Sequence, residues 1–403
     1  MKTKIFFCLS VIALITSLGP TAHAQTFSVI HHFTGCSDGS LPQSGVTIRG
    51  GDLFGTASAG GPHFWGVVYQ AKRSGNWSIS PLSYLPISGN APLSRALFGP
   101  DGHLYGTTAD GGSNVGNVYS LTAPPSICAT LCCPWHETEI HNFSGQGGDG
   151  RGPASGDLAW DQQGNIYGTT VDGGQHGLGV VYELMRSGNS WTEVPIYSFS
   201  GPDGSGPYAG VVIDSKGNLF GTTRVGGAND LGAIYELQYQ AGVGWKETVL
   251  YSFQNTTDGA LPFGGLIFDN SGSLYGTAVY GGSALGGTVF ELSPSGNTWS
   301  FNLLYSLSGF PDEGCGSVES LAFDTAGNLY GTTICDGSFN SGTAFKLSKT
   351  ANGWTYNELH AFDPASDGNE PICSVAIDSD GTLYGTANAG GLYNKGTLWM
   401  IKP

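Results

Sequence analysis

Basic residues are scarce in this sequence. Fifteen lysines and arginines face 31 aspartates and glutamates, charged residues make up only 11% of the 403-residue chain, and the formal net charge is −16. A phosphate backbone or an anionic membrane surface calls for a dense stripe of basic side chains, so neither is an expected partner. The same negative balance keeps copies of a chain apart in solution, and a monomer is expected. Apolar runs long enough to cross a membrane, about 18 residues, are lacking, and so is helical periodicity after the N-terminal segment. No nucleophile elbow, phosphate loop, zinc motif or dinucleotide fingerprint occurs. Short GSG and GGxxG strings carry no weight in a chain with 66 glycines.

The first 24 residues place Lys2 and Lys4 ahead of an apolar run from Ile5 to Leu18 and end in Ala22-His23-Ala24. This pattern predicts a cleaved signal peptide and a secreted or periplasmic protein, residues 25–403, with no membrane span. Losing the two lysines takes the charge from −16 to −18. Cys8 is too early for a lipid-anchored cysteine. Glycine is frequent, yet hydrophobic residues reach 39% and aromatics 12%, enough for a large core. Glycine at this level in a β-rich chain means many turns and close backbone approaches.

One phrase recurs seven times: Leu53-Phe54-Gly55-Thr56, Leu104-Tyr105-Gly106-Thr107, Ile166-Tyr167-Gly168-Thr169, Leu219-Phe220-Gly221-Thr222, Leu274-Tyr275-Gly276-Thr277, Leu329-Tyr330-Gly331-Thr332 and Leu383-Tyr384-Gly385-Thr386. The glycine-to-glycine steps are 51, 62, 53, 55, 55 and 54 residues, a period of propeller blades. Each period divides into four short strands, A to D; in the fifth they are 265–268, 274–278, 288–292 and a last one after Trp299 that ends at Leu307. Trp77, Trp135, Trp191, Trp245, Trp299 and Trp354 each precede by eight the apolar residue that closes strand D: Leu85, Phe143, Phe199, Phe253, Leu307 and Phe362. A seventh strand D is missing at the C-terminus, whereas Phe27 to Phe33 matches its pattern. The reading is all-β: a single seven-bladed β-propeller of four-stranded antiparallel blades, whose N-terminal strand completes the last blade and leaves no open edge. Along strand B, Leu and Gly share one face while Tyr and Thr share the other. Each Tyr or Phe is expected to fill the hollow left by the neighbouring blade's glycine.

LYGTT followed by a Gly-Gly doublet, a G-x-V-[YF]-E-L strand and a later tryptophan resembles the secreted GloVer (Gloeo/Verruco) tandem repeat proteins over essentially all of residues 25–403. Val180-Val-Tyr-Glu-Leu184, Ala233-Ile-Tyr-Glu-Leu237 and Thr288-Val-Phe-Glu-Leu292 carry the match. The resemblance implies a β-propeller, no agreed activity and often a C-terminal surface anchor; this sequence ends two residues after its last strand, which favours a freely released protein. A weaker similarity is to kelch repeats, among them a secreted copper oxidase.

Copper would need converging histidines. His31, His141 and His360 share one strand D position with Tyr197, Tyr251 and Tyr305, which predicts sheet packing, while His63, His103, His136 and His176 are scattered among loops without ligand spacing. No metal or other cofactor is expected. Asp161, Asp214, Asp269, Asp324 and Asp378 read as A–B turn residues. Asp38, Asp149, Asp203, Asp258, Asp312 and Asp367 recur in the D–A loops as an acidic ring too sparse for a calcium cage. The B–C loops of blades 6, 7 and 1 stand out with Phe339-Asn340, Tyr393-Asn394 and His63-Phe64-Trp65. Aromatic platforms edged by carboxylates and amides suit sugars. The leading expectation is a binding module for polysaccharide or a cell-surface glycan on that face. A hydrolase or lyase drawing a carboxylate pair from Asp312, Glu313, Asp367 and Glu370 is the alternative, and a purely structural repeat protein is a third. Seven cysteines remain after Cys8. Cys36, Cys315, Cys335 and Cys373 allow three pairings that would brace the closing seam, and Cys128, Cys132 and Cys133 lie in an insertion of blade 2 around residues 123–135.

Overall fold

The computed structural model describes residues 25–403 except 86–88, 111–114, 126–134, 154–155, 189, 255–256, 310–314, 317–318 and 352. The expected signal segment and Cys128, Cys132, Cys133, Asp312 and Glu313 lie outside the described residues. Seven antiparallel sheets hold all the described strands, none of the described residues is helical, and together the sheets form a seven-bladed propeller.

Blade 5 shows the plan: strand A at Ile267–Phe268, B at Leu274–Ala278, C at Leu285–Ser295 and D at Thr298–Ser308. Strands lengthen outward because the ring widens away from its axis. Strand A is shorter than the expected 265–268. The Gly264 carbonyl accepts from Thr222 Oγ1 of blade 4 (3.2 Å). Strands C and D are longer than expected, and Trp299 lies inside strand D rather than ahead of it. Blade 3 adds a fifth strand, Gly150–Pro153, beside its strand B.

Closure takes the expected form. Thr26–His32 pairs with Thr397–Lys402, with Phe27 opposite Ile401 and Val29 opposite Trp399, and Phe33 is fully buried beyond it. The N-terminal strand even carries the β-bulge that every other strand D carries against its strand C. The extra residue is Ile30, Leu82, Ile140, Ile196, Leu250, Leu304 or Leu359, and all seven pack into a core between blades. A bulge breaks the two-residue alternation, which lets an apolar side chain and the following His, Tyr or Ser take separate environments.

The repeated phrase works differently from the expectation. Its glycine lies directly across from a strand C aromatic of its own blade: Tyr69, Tyr119, Tyr182, Tyr235, Phe290, Phe345 or Trp399. A methyl group at Gly276 would come within 2.7 Å of Phe290, so the hollow is filled within the blade, not from the neighbour. The ring of the phrase instead crosses to the next blade. Phe54 meets Phe98 at 4.9 Å and Tyr105 meets Trp160 at 5.6 Å. The spaced strand D tryptophans receive the same rings, as Trp299 does Phe220 and Trp77 does Tyr384. The threonine hydroxyl also crosses, donating to a backbone carbonyl of the next blade: Thr56 to Ser94, Thr169 to Ala209, Thr222 to Gly264, Thr332 to Cys373 and, across the closure, Thr386 to Ser44. Each such bond is worth about 1 kcal/mol, and the rings add the burial of large apolar area.

Gly221→Ala should cost about 1–3 kcal/mol by overpacking, measured by chemical denaturation. Adding Tyr235→Phe should restore part of that loss, because the hydroxyl is the nearest atom and blades 5 and 6 already carry phenylalanine there. Deleting residues 25–33 should expose the edge of Thr397–Lys402 and replace the single cooperative melt by aggregation, scored by light scattering during heating.

Candidate functional site

The loop aromatics of blades 6, 7 and 1 are exposed. Phe64, Phe339 and Tyr393 are 77%, 52% and 57% accessible, and His63 stacks on Trp65 at 5.0 Å. Among the described rings, however, Phe64, Phe339 and Tyr393 stack on none. Phe64, Asn340 and Asn394 occupy one recurring turn position with φ of 63°, 53° and 53°, shared with Asp230 and Leu285. Asn394 Oδ1 accepts from Gly390 N–H (3.2 Å) as Asp230 accepts from Gly226. That amide therefore closes its own loop. Glu370 accepts from Asn388 (3.1 Å).

Four of the five described D–A loop aspartates are bonded to the His or Tyr just ahead of them: His31 Nε2 lies 2.9 Å from Asp38, Tyr197 and Tyr251 donate to Asp203 and Asp258 at 2.5 Å each, and His360 Nε2 lies 2.5 Å from Asp367. Asp149 stands farther from its histidine, 3.6 Å from His141. The carboxylate also takes a loop N–H, as Asp367 does from Asp363 (2.7 Å) and Asp38 from Thr34 (2.9 Å). Histidine and tyrosine interchange because both can present a hydrogen to a carboxylate. These pairs clamp the loops, and Asp367 is spent on this task rather than available for acid–base work. The A–B turn aspartates behave as expected, Asp269 accepting from Ser271 and Ser273 N–H at 2.8 Å each.

Among the described residues one cysteine pair is bonded, Cys315 with Cys335 (Cα–Cα 4.8 Å). It ties the entry of blade 6 to the end of that blade's own strand B, so it does not cross the closing seam. Cys36 and Cys373 are free, one exposed on a loop and the other buried. Burial pushes the Cys373 thiol up to about 12.

The axial channel carries the unusual chemistry. At the positions three and two residues ahead of strand A, blades 1, 4 and 5 carry small side chains: Ser44-Gly45, Ala209-Gly210 and Gly264-Gly265. Three blades break that column, blade 2 with Arg95, blade 3 with Asp157 and blade 6 with Glu319. All three line a cavity of about 560 Å³ on the axis, a size usual for small-ligand sites. Arg95 Nε lies 3.3 Å from Asp157 Oδ1, and Nη2 makes a second, closer bond to Oδ2. Asp157 holds the guanidinium's pKa above its ordinary value even though burial opposes it. Glu319 accepts from Ser374 Oγ (3.3 Å). Withdrawal from water and then the Asp157 charge push its carboxyl up to about 8, with Arg95 opposing. A carboxyl that holds its proton near neutral pH therefore faces the same channel as the Arg95–Asp157 pair.

Toward the loop face the cavity is walled by Tyr208 and Phe263, rings 4.6 Å apart, with the Arg224 guanidinium 4.8 Å over Phe263 and 5.5 Å over Tyr208. Arg224 Nε is buried without a hydrogen-bond partner. An aromatic wall, a guanidinium and two carboxyl groups converge on one concavity. Sequence reading missed all six residues; the signal was the small-residue column before strand A, broken by charge in three repeats.

Fold and channel define a seven-bladed propeller with a polar axial cavity. A family model, the Gloeobacter/Verrucomicrobia repeat, matches residues 131–309 and 242–403. The chain belongs to that repeat family. No curated protein matches it. In solved structures it is similar to an ulvan lyase, of a new polysaccharide lyase family, bound to GlcA(1-4)Rha3S. That match has TM-score 0.52 and 12% identity and covers 91% of this chain and 94% of that one. A putative 6-phosphogluconolactonase from Bacteroides uniformis matches with TM-score 0.50 and 14% identity, covering 80% of this chain and 84% of that one. At these identities the likeness is one of fold.

Glu319 keeps its proton in the folded chain above its ordinary value of 4.5. Between there and about 8 the folded state holds a proton that the unfolded state has released, so this group's contribution to stability falls as pH rises. The melting temperature of the wild type relative to Glu319→Gln should decline from pH 5 to pH 8; a constant difference would contradict the assignment.

Proposed function

We propose that the protein is a carbohydrate-binding propeller that seats a saccharide at the loop-face mouth of its axial channel. The observation that carries the reading is the Tyr208–Phe263 wall capped by Arg224 and opening onto Arg95–Asp157, Glu319 and Ser374. Sugar CH faces stack on aromatic rings while hydroxyls take carboxylates and hydroxyls as partners. The unpartnered Arg224 Nε suits a carboxylate or sulfate on an acidic sugar. The two propellers of similar fold carry carbohydrate chemistry in their names, which supports the class of ligand. A polymer leaving the channel would cross the loop face, where Trp65, Phe339 and Tyr393 offer further platforms. The protein acts as a monomer in the secreted or periplasmic space, on polysaccharide or a cell-surface glycan.

A second reading is favoured by the two acids that line the cavity. Glu319, whose carboxyl is pushed up to about 8 by burial, shares the cavity with the Asp157 carboxyl, and acid–base cleavage of a glycan, by hydrolysis or elimination, uses two carboxyl groups in unlike roles. This pair takes the place of the one expected among Asp312, Glu313, Asp367 and Glu370.

Affinity electrophoresis against neutral and acidic polysaccharides checks both readings. Tyr208→Ala and Phe263→Ala should each weaken retention about fivefold, since a stacked ring contact is worth about 1 kcal/mol. Trp65→Ala and Tyr393→Ala should matter only for long polymers. Unchanged retention in the first pair would end the channel reading, and product release that vanishes in Glu319→Gln would favour the enzyme.

A further inference from the structure

At the outer rim between blades 2 and 3, side chains from three segments meet. His141 is near the end of strand D of blade 2 (His136–Asn142), Asp149 lies in the loop that follows, and Glu193 sits on strand D of blade 3 (Ser190–Ser198). Each offers one ligand atom within 4.8 Å of the other two. His141 Nε2, Asp149 Oδ1 and Glu193 Oε1 are each withdrawn from solvent and without a hydrogen-bond partner.

The other blades act as internal controls. His31, Tyr251 and His360 bond their loop aspartates at 2.9, 2.5 and 2.5 Å, whereas His141 Nε2 stands 3.6 Å from Asp149 Oδ1. Asp149 remains anchored through its other oxygen, which accepts from Ser144 N–H and Oγ at 2.6 Å each. The clamp is thus intact on one side and open on the other. At the register of Glu193, two residues after the strand D tryptophan, blades 1, 5 and 6 carry Ile79, Phe301 and Tyr356, and blade 2 carries Glu137, which accepts from Ser83 (2.7 Å). Glu247 of blade 4 also has an unpartnered oxygen, but it faces Tyr197, whose hydroxyl is already bonded to Asp203, so no nitrogen joins that set.

We propose that His141, Asp149 and Glu193 bind a divalent transition ion of the zinc type, joining blade 2 to blade 3. Metal–ligand bonds of about 2.0–2.2 Å place neighbouring ligands roughly 3–4 Å apart, within a small side-chain adjustment of the observed cluster. One imidazole with two carboxylates favours a borderline transition ion over calcium or magnesium, which prefer all-oxygen surroundings. A dication neutralises both carboxylates and satisfies the three orphaned atoms together. Three protein ligands leave at least one coordination position for water or an anionic ligand.

The untagged chain, stripped with chelator, is titrated with Zn²⁺, Mn²⁺ and Ca²⁺, and bound metal and melting temperature are measured after gel filtration. One zinc per chain and a higher melting temperature are expected. His141→Tyr installs the residue that blades 3 and 4 carry and so should fold, yet lose affinity about tenfold or more; Glu193→Gln should do the same. His31→Tyr should bind like wild type. No stoichiometric ion, calcium taken in preference to zinc, or undiminished binding in both His141→Tyr and Glu193→Gln would overturn the proposal.

Discussion

The pairing of Thr26–His32 with Thr397–Lys402 is the contact on which the rest of this molecule depends. Blade 7 has only three strands of its own at the C-terminus, and its outer edge would otherwise present unpaired backbone groups. Once the N-terminal strand seats there, Thr386 can reach Ser44, and the threonine–carbonyl bonds between blades become links in a closed circle. An axial cavity exists only because that circle closes, since its wall is assembled from strand A of successive blades. The contact between chain ends is thus the condition for any site on the axis.

Repetition builds the scaffold, and departures from repetition build the chemistry. Where seven blades need the same interface, the chain supplies the same residues: a ring to the next blade, a hydroxyl to its backbone and a glycine beneath a strand C aromatic. Where Arg95, Asp157 and Glu319 replace small residues, the fold gains nothing obvious, because withdrawing charges from water costs more than an isolated pair returns. Retaining them fits a ligand-facing role. The same logic separates His141 and Glu193 from their counterparts in other blades. In both places the unusual residues sit on rigid strands or directly beside them, where geometry is held by the packing of two blades.

Much of the fold was legible in advance. The LYGTT spacing counted the blades, and the tryptophan-to-closing-residue interval located strand D even at the N-terminus. The glycine was misassigned because alternation says which face a side chain takes but not whether the filler comes from the paired strand or the neighbouring sheet. Of the four cysteines in one sector, Cys315 and Cys335 do pair, but sharing a face does not bring the other two sulfurs together, since Cys373 is buried while Cys36 stands on an exposed loop. His31 and His360 were read as packing residues although each lies a short, constant interval ahead of the aspartate that it holds. That pairing is local and could have been found.

What the amino-acid order determined by itself was the set of local decisions, namely where strands run, where turns close, and how many units the ring has. These follow from two-residue alternation and turn chemistry, which act over a few residues and repeat with the sequence. The tertiary structure alone decided which distant side chains share a space. Arg95, Asp157 and Glu319 come from blades 2, 3 and 6, and they meet only because a ring brings each strand A to a common axis. No spacing along the chain encodes that meeting, since convergence belongs to the closed circle and not to any one of its blades.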